Sequence, residues 1–220
     1  MKRIALSLAA AAASIAMAPT ANAGIFIGVG FNGGAVTQVA TDSGSGSANY
    51  NTTASGYFFN VSATGFPLLL QPNLLTQSVN IQQAGGNGGV LNLYITETDL
   101  DSFNSFLKST FTSNTMANAT TSISSFFSNA NALFGGTLLQ TSNFTSPDVF
   151  TGSNAVNGTG PFSTTVRYDI TFGAGPGNFN GTANLTAVPE PATWALMLLG
   201  FGAMGGMLRT RSRTARIRFA

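Results

Sequence analysis

From Phe162 to Phe172 the chain alternates without a break: Phe162, Thr164, Val166, Tyr168, Ile170 and Phe172 are separated by Ser163, Thr165, Arg167, Asp169 and Thr171. Side chains of a strand point to opposite faces in turn, so this period of two sends the aromatic and branched residues one way and the polar residues the other. A helix would scatter them. A strand buried on one face needs hydrogen-bonded neighbours and a second layer over its apolar face. The rest of the chain supplies matching segments. Residues 24–31 place Ile25, Ile27, Val29 and Phe31 on one face, and 35–41, 57–63, 75–83, 90–98 and 179–188 are rich in β-formers. Asn32-Gly33-Gly34, the Gly-rich run 84–89 and the run 173–177 have turn chemistry. Phe103, Phe106, Leu107 and Phe111 also satisfy helical spacing, and 120–127 is similarly ambiguous, but their β neighbours favour strands. Residues 42–47 read as a flexible loop, 134–140 as a turn entering a strand, and 143–161 as loop-rich. The expectation is a mainly β protein, an antiparallel β-sandwich of jelly-roll-like form over 24–187.

The two ends follow different rules. Lys2 and Arg3 precede an apolar run from Ile4 to Ala18, Pro19 ends it, and Ala21 and Ala23 put small residues at the −3 and −1 positions of a cleavage site. This is the pattern of a signal peptide over 1–23, removed before Gly24 by signal peptidase. At the other end, 188–220 has three parts. Pro189-Glu190-Pro191 is stiff, because each proline fixes its own φ and restricts the residue before it. Residues 192–208 are uncharged and predict a single hydrophobic helix. Arg209, Arg211, Arg213, Arg216 and Arg218 follow with no acidic residue among them. Seventeen residues make about 25 Å of helix against about 30 Å of hydrocarbon, a short transmembrane helix whose arginines would remain cytoplasmic.

These ends distort the overall charge. The formal net charge is +2. Residues 24–188 hold two basic residues, Lys108 and Arg167, against six acidic ones, a net −4. The basic balance therefore belongs to the two end segments and implies no nucleic-acid partner. The chain has no cysteine and no histidine, which excludes thiol nucleophiles, Ser-His-Asp triads and zinc sites built on either residue. Gly28, Gly30 and Gly33 fit the spacing of a dinucleotide fingerprint, but they fall in and just after a strand with no helix following.

The tail resembles a known signal. Pro189, Glu190, Pro191, Trp194 and Ala195, then a glycine-containing apolar helix and arginines, resemble the PEP-CTERM sorting signal in its PEPxxWA form, found in Gram-negative bacteria that make exopolysaccharide. The resemblance covers roughly the last thirty residues. It implies processing near Pro-Glu-Pro by an exosortase-type membrane enzyme. It further implies contact with membrane lipid before processing, a cytoplasmic anchor at Arg209, Arg211 and Arg213, and an inner-membrane-held body in the periplasm that then passes to the envelope or outside.

Chemistry within the body is sparse. Glu97, Asp99 and Asp101 share one side if the chain is extended there, and three carboxylates suit calcium, although a solvated strand end explains them better. No catalytic motif is present, so no enzyme activity is expected. A carboxylate-dependent hydrolase using Glu97, Asp99, Asp101 or Asp169 is an alternative. Asn51, Asn60, Asn118, Asn143, Asn157, Asn180 and Asn184 each begin an Asn-x-Ser/Thr triplet, which in a chain of this composition is mostly chance but leaves a glycosylated surface open. The expected role is structural or interactive and linked to exopolysaccharide. A surface carbohydrate-binding module is the next alternative, with ice binding ranked below it.

Overall fold

The computed structural model describes residues 23–42, 44–188 and 191–211. Twelve strands and one helix occur among the described residues. They are β1 (Gly24–Phe31), β2 (Thr37–Thr41), β3 (Ser47–Ala54), β4 (Tyr57–Thr64), β5 (Leu74–Gln83), β6 (Gly89–Leu100), β7 (Phe103–Ala117), β8 (Ala119–Ser128), β9 (Thr137–Phe144), β10 (Asp148–Gly158), β11 (Phe162–Phe172), β12 (Gly177–Val188) and α1 (Pro191–Arg211). They form two six-stranded sheets, β2-β1-β6-β11-β8-β9 and β10-β7-β12-β5-β4-β3. Every pairing is antiparallel. The expected antiparallel sandwich is what the body forms. The chain changes sheet between β2 and β3, β5 and β6, β6 and β7, β7 and β8, β9 and β10, β10 and β11, and β11 and β12, so successive strands are tied across the core.

Both ambiguous segments, 103–113 and 120–127, are strand, in β7 and β8. Two strands escaped the sequence reading. The segment 143–161 expected to be loop holds β10, paired residue for residue with β7 from Asp148↔Ser113 to Gly158↔Phe103. The stretch after the 42–47 loop is β3, paired with β4. Both are edge strands of one sheet with mostly polar, half-exposed side chains, so no apolar alternation marks them.

The alternation of β11 does what it predicts. Val166, Tyr168, Ile170 and Phe172 are buried between the sheets. Leu91, Leu93 and Ile95 of β6 lie beside them, and Leu74, Val79, Ile81, Phe111, Phe179 and Leu185 come from the facing sheet. Aromatic pairs stitch this core. Tyr168 meets Phe179 edge to face with ring centroids 6.0 Å apart, Phe127 meets Phe162 at 5.1 Å, and Tyr57 meets Phe172 at 5.5 Å. Such pairs add about 0.5–1.5 kcal/mol each beyond their buried area.

Burying tyrosine brings a hydroxyl into an apolar layer. The Tyr168 hydroxyl is bonded to Thr76 Oγ1 at 2.5 Å, across the sheets from β11 to β5. That threonine oxygen also accepts the Ala183 N–H at 2.6 Å, beside the register shift where β12 leaves strict pairing with β5. Ser109 of β7 and Ser125 of β8 make a second buried bridge between the sheets at 2.8 Å. Burial pushes the Tyr168 hydroxyl far above its ordinary range, so it remains protonated and able to donate.

One expectation about the C-terminal segment is corrected. A helix forms at Pro191–Arg211, yet among the described residues no helix is long and apolar enough to cross a membrane. The uncharged stretch is short, and Thr193, Gly200, Gly202, Gly205 and Gly206 dilute its apolar side chains. From Ala195 to Met207 the side chains are exposed.

The Tyr168–Thr76 bond yields a ranking of two substitutions. Thr76→Val leaves both the tyrosine hydroxyl and the Ala183 N–H without their partner and should cost about 2–6 kcal/mol, since each orphaned buried group costs about 1–3. Tyr168→Phe removes one hydroxyl while Thr76 retains Ala183, and should cost about 1 kcal/mol. Urea denaturation of the two variants checks the order; a Tyr168→Phe protein less stable than Thr76→Val contradicts it.

Candidate functional site

The sorting segment begins where the body ends. β12 is held to its last residue: the Ala187 N–H donates to Asn73 Oδ1 at 2.8 Å, and Ser105 Oγ donates to the Val188 carbonyl at 2.8 Å. Pro189 and Glu190 lie outside the described residues. Pro191 opens α1, consistent with the tolerance of proline in a first turn. Trp194 lies in the first turns of α1, and Ala195 is exposed one residue later. Arg209 and Arg211 occupy the last turn of the same helix, where cations complement the carbonyl end of its dipole. Arg213 lies outside the described residues. At the other end, Ala21 also lies outside them, Ala23 is buried, and Gly24 is the first residue of β1, paired with Thr98. The residue expected to begin the mature chain is thus the residue that begins the sandwich.

The three carboxylates expected on one side of a strand are not brought together. Glu97 is wholly buried in β6, on the face that carries Leu93 and Ile95. Asp99 has a φ of 56°, a left-handed turn of the backbone that ends the strict alternation. Its backbone N–H donates to Asn131 Oδ1 at 2.9 Å, and its carboxylate accepts from Asn131 Nδ2 at 2.7 Å and Thr98 Oγ1 at 2.8 Å. Asp101 is exposed, with its N–H on Gln71 Oε1 at 2.7 Å. Among the described residues no three acidic groups are placed to hold a metal ion. Asp169 faces outward on β11. It is paired with Arg167 at 2.7 Å and accepts from Asn92 Nδ2 at 2.6 Å. The Arg167 guanidinium in turn lies over the Tyr94 and Phe126 rings, at 5.9 and 5.2 Å from their centroids.

Glu97 is the unusual acid. It sits at one end of the sandwich under the loop joining β4 to β5. Its Oε1 accepts the Phe66 N–H at 2.6 Å. Its Oε2 is buried without a protein partner, and so is the hydroxyl of Thr164, the residue paired with it on β11. Gly65 is required here, because a Cβ at that position would collide with the carboxylate. Burial raises the Glu97 pKa to about 7, against the lowering pull of the Phe66 N–H. The loop is braced from outside. The Gly65 N–H donates to the Gly46 carbonyl at 3.0 Å, and Gly46 packs against Pro67. Asp42 holds that second loop, accepting from Ser45 Oγ at 2.6 Å, Ser45 N–H at 2.8 Å and Gly46 N–H at 2.6 Å. Burial opposes the charge on Asp42, but these bonds outweigh it and hold its pKa below the usual value. The partnership of Glu97 with Gly65, Phe66 and Thr164 joins distant parts of the chain, and no local spacing announces it.

Residues 187–212 match the PEP-CTERM protein-sorting motif. Such a motif implies an exported protein of the cell envelope, processed by an exosortase-type membrane enzyme. No curated protein matches the chain. Among solved structures, TmCBM61 in complex with beta-1,4-galactotriose is similar at 10% identity and a TM-score of 0.33, over 61% of this chain and 90% of that one. The enzymatically active domain of tailspike protein 4 from bacteriophage CBA120 is similar at 14% identity and a TM-score of 0.31, over 60% of this chain and 20% of that one.

The raised pKa of Glu97 fixes a pH dependence. Its folded value, about 7, lies above its ordinary 4.5, so the fold favours the protonated acid. Its full contribution is present below about pH 4.5 and is lost as pH rises through about 7. Glu97→Gln retains the acceptor for Phe66 and removes the charge. At about pH 8 it should be more stable than the parent by on the order of 3 kcal/mol, with the advantage vanishing near pH 4.5. Urea titrations at both values check this; an equal difference at both would show that the carboxylate does not titrate as stated.

Proposed function

We propose that this protein is an exported envelope or matrix component with a structural or interaction role linked to exopolysaccharide. In this reading signal peptidase releases the chain before Gly24. The C-terminal segment then holds the unprocessed protein at the inner membrane with the body in the periplasm. Because α1 does not have the length and apolarity of a span, it acts by lying against lipid and against an exosortase-type enzyme. Its glycines allow close approach, and its arginines face anionic headgroups. Cleavage near Pro-Glu-Pro frees the body to the envelope or the outside.

The observation that carries this reading is the junction. The sorting motif begins at residue 187, and the body's last strand is hydrogen-bonded through Val188, so a cut at the following Pro-Glu-Pro leaves the sandwich whole. A non-catalytic role is supported by the state of the acids. Glu97 is enclosed, Asp99 is tied to Asn131, and Asp169 is tied to Arg167 and Asn92. None of the three stands open opposite a second carboxylate, as glycoside hydrolysis requires.

Intact-mass measurement on protein recovered from its native host tests the reading. The expected species begins at Gly24 and ends near Pro189 to Pro191, and Glu190→Ala should accumulate the unprocessed form. Recovery of a membrane fraction that retains Arg218 in the unaltered protein would overturn the processing step.

A further inference from the structure

The outward face of the sheet β10-β7-β12-β5-β4-β3 has an order that the sequence does not display. Antiparallel register lines residues of neighbouring strands into rows across the sheet. One row runs Asn51↔Asn60↔Asn80↔Asn180↔Thr115, four asparagines abreast from β3 through β4 and β5 to β12. The next row toward the hairpin end runs Thr53↔Phe58↔Gln82↔Asn178↔Ala117. Strands β3, β4, β5 and β12 contain no charged residue at all. Four adjacent strands therefore present a neutral surface of amides and hydroxyls.

A groove of about 560 Å³ lies along the second row, between the turn at Gly56 and the turn at Pro176. Phe58 is 38% exposed in it, an aromatic ring beside amide side chains. Gln83, only 4% exposed, forms part of the wall. Its Nε2 is held by the carbonyls of Gly173 at 3.3 Å and Gly175 at 2.7 Å, which fixes the amide, while its Oε1 is buried without a donor. Asn178 Oδ1 in the groove and Asn80 Oδ1 in the row beside it are likewise buried without partners. Unpaired buried acceptors are costly, and two of them, on Gln83 and Asn178, belong to residues that line the groove.

The geometry points to this groove as the binding site for an uncharged, hydroxyl-rich polymer, a neutral polysaccharide chain lying across the strands. This inference rests on the exopolysaccharide-linked role proposed above and names the surface and the class of ligand. The chemistry of the lining selects that class. Hydroxyl groups donate to the orphaned amide oxygens and accept from amide NH₂ groups. The apolar face of a sugar ring covers Phe58, and aromatic side chains supply such contact at little entropic cost. A charged polymer would find no counter-charge on β3, β4, β5 or β12, and a protein partner would find one aromatic in the groove, where interface cores carry clusters. Strand spacing of about 4.8 Å repeats the amide pattern at intervals that suit an extended glycan.

Affinity electrophoresis of the purified full chain through gels containing a neutral β-glucan, a neutral galactan, a neutral mannan or the polyanion alginate tests the assignment. The expected result is retardation by at least one neutral polymer, unchanged by added salt, since no ion pairs form. Phe58→Ala and Asn178→Asp should each weaken it about tenfold, the loss of one stacking or amide contact. Gln82→Ala, at an exposed position, gives the same readout if either of those variants fails to fold. Thr151→Ala on the distant edge strand β10 should leave retardation intact. Absence of retardation in every neutral gel overturns the inference. So does retardation that survives all three groove variants, or that occurs only in alginate and disappears with salt. Glu190→Ala should change processing in the host and leave retardation unaltered, so failure of the sorting reading and failure of the groove are read separately.

Discussion

The sandwich depends on how two sheets share the few polar atoms trapped between them. An apolar layer some ten ångströms thick tolerates a hydroxyl only when a partner lies within it. The Tyr168 ring fills the centre, and its hydroxyl reaches the opposite sheet at Thr76, which also takes the Ala183 N–H beside a β-bulge. One threonine oxygen thereby satisfies a side chain of one sheet and an irregularity of the other. The bond fixes the position of β11 over β5 and β12, and with it the alignment of both sheets. Ser109 and Ser125 repeat the device nearer the other side of the core. With no cysteine in the chain, such bridges and the aromatic pairs supply what cross-links would otherwise give.

The two ends of the sandwich are closed differently. At one end a buried carboxylate does the work. Glu97 takes the Phe66 N–H, Gly65 makes room for it, and Asp42 stiffens the loop that backs Gly65. An acid whose pKa is raised by its surroundings serves there as an internal hydrogen-bond acceptor for the loop. At the other end, Gln83 is clasped by the turn between β11 and β12, and the neutral groove opens beside it. β12 links these regions to the sorting segment, for it crosses the middle of its sheet and runs directly into the motif.

What was legible in the sequence follows from how strongly each segment's burial depends on its own alternation. β11 and β6 are central strands with one apolar face, so their side chains declare them. β3 and β10 lie at the edges of one sheet; their Ser, Thr, Asn and Gly residues have turn chemistry when taken alone and become strands because β4 and β7 offer a complete ladder. The acidic run at Glu97, Asp99 and Asp101 misled for a related reason. Alternation holds only while the backbone stays extended, and the positive φ of Asp99 sends the third carboxylate out while the first remains inside. Asn51, Asn60 and Asn180 appeared as scattered triplets, whereas register sets them side by side.

The linear chain by itself determined the properties that are local. The alternation of Phe162 to Phe172 demands a strand, the missing cysteine and histidine remove whole classes of chemistry, and Pro-Glu-Pro with its helix and arginines marks the destination. Tertiary structure decided everything that depends on pairing between distant strands. It alone placed Tyr168 against Thr76, enclosed Glu97 beneath Gly65 and Phe66, and drew asparagines from four strands into one row. The physical reason is that strand propensity and processing signals act over a few residues, while register, burial and orphaned hydrogen-bond groups exist only after segments far apart in the chain have met.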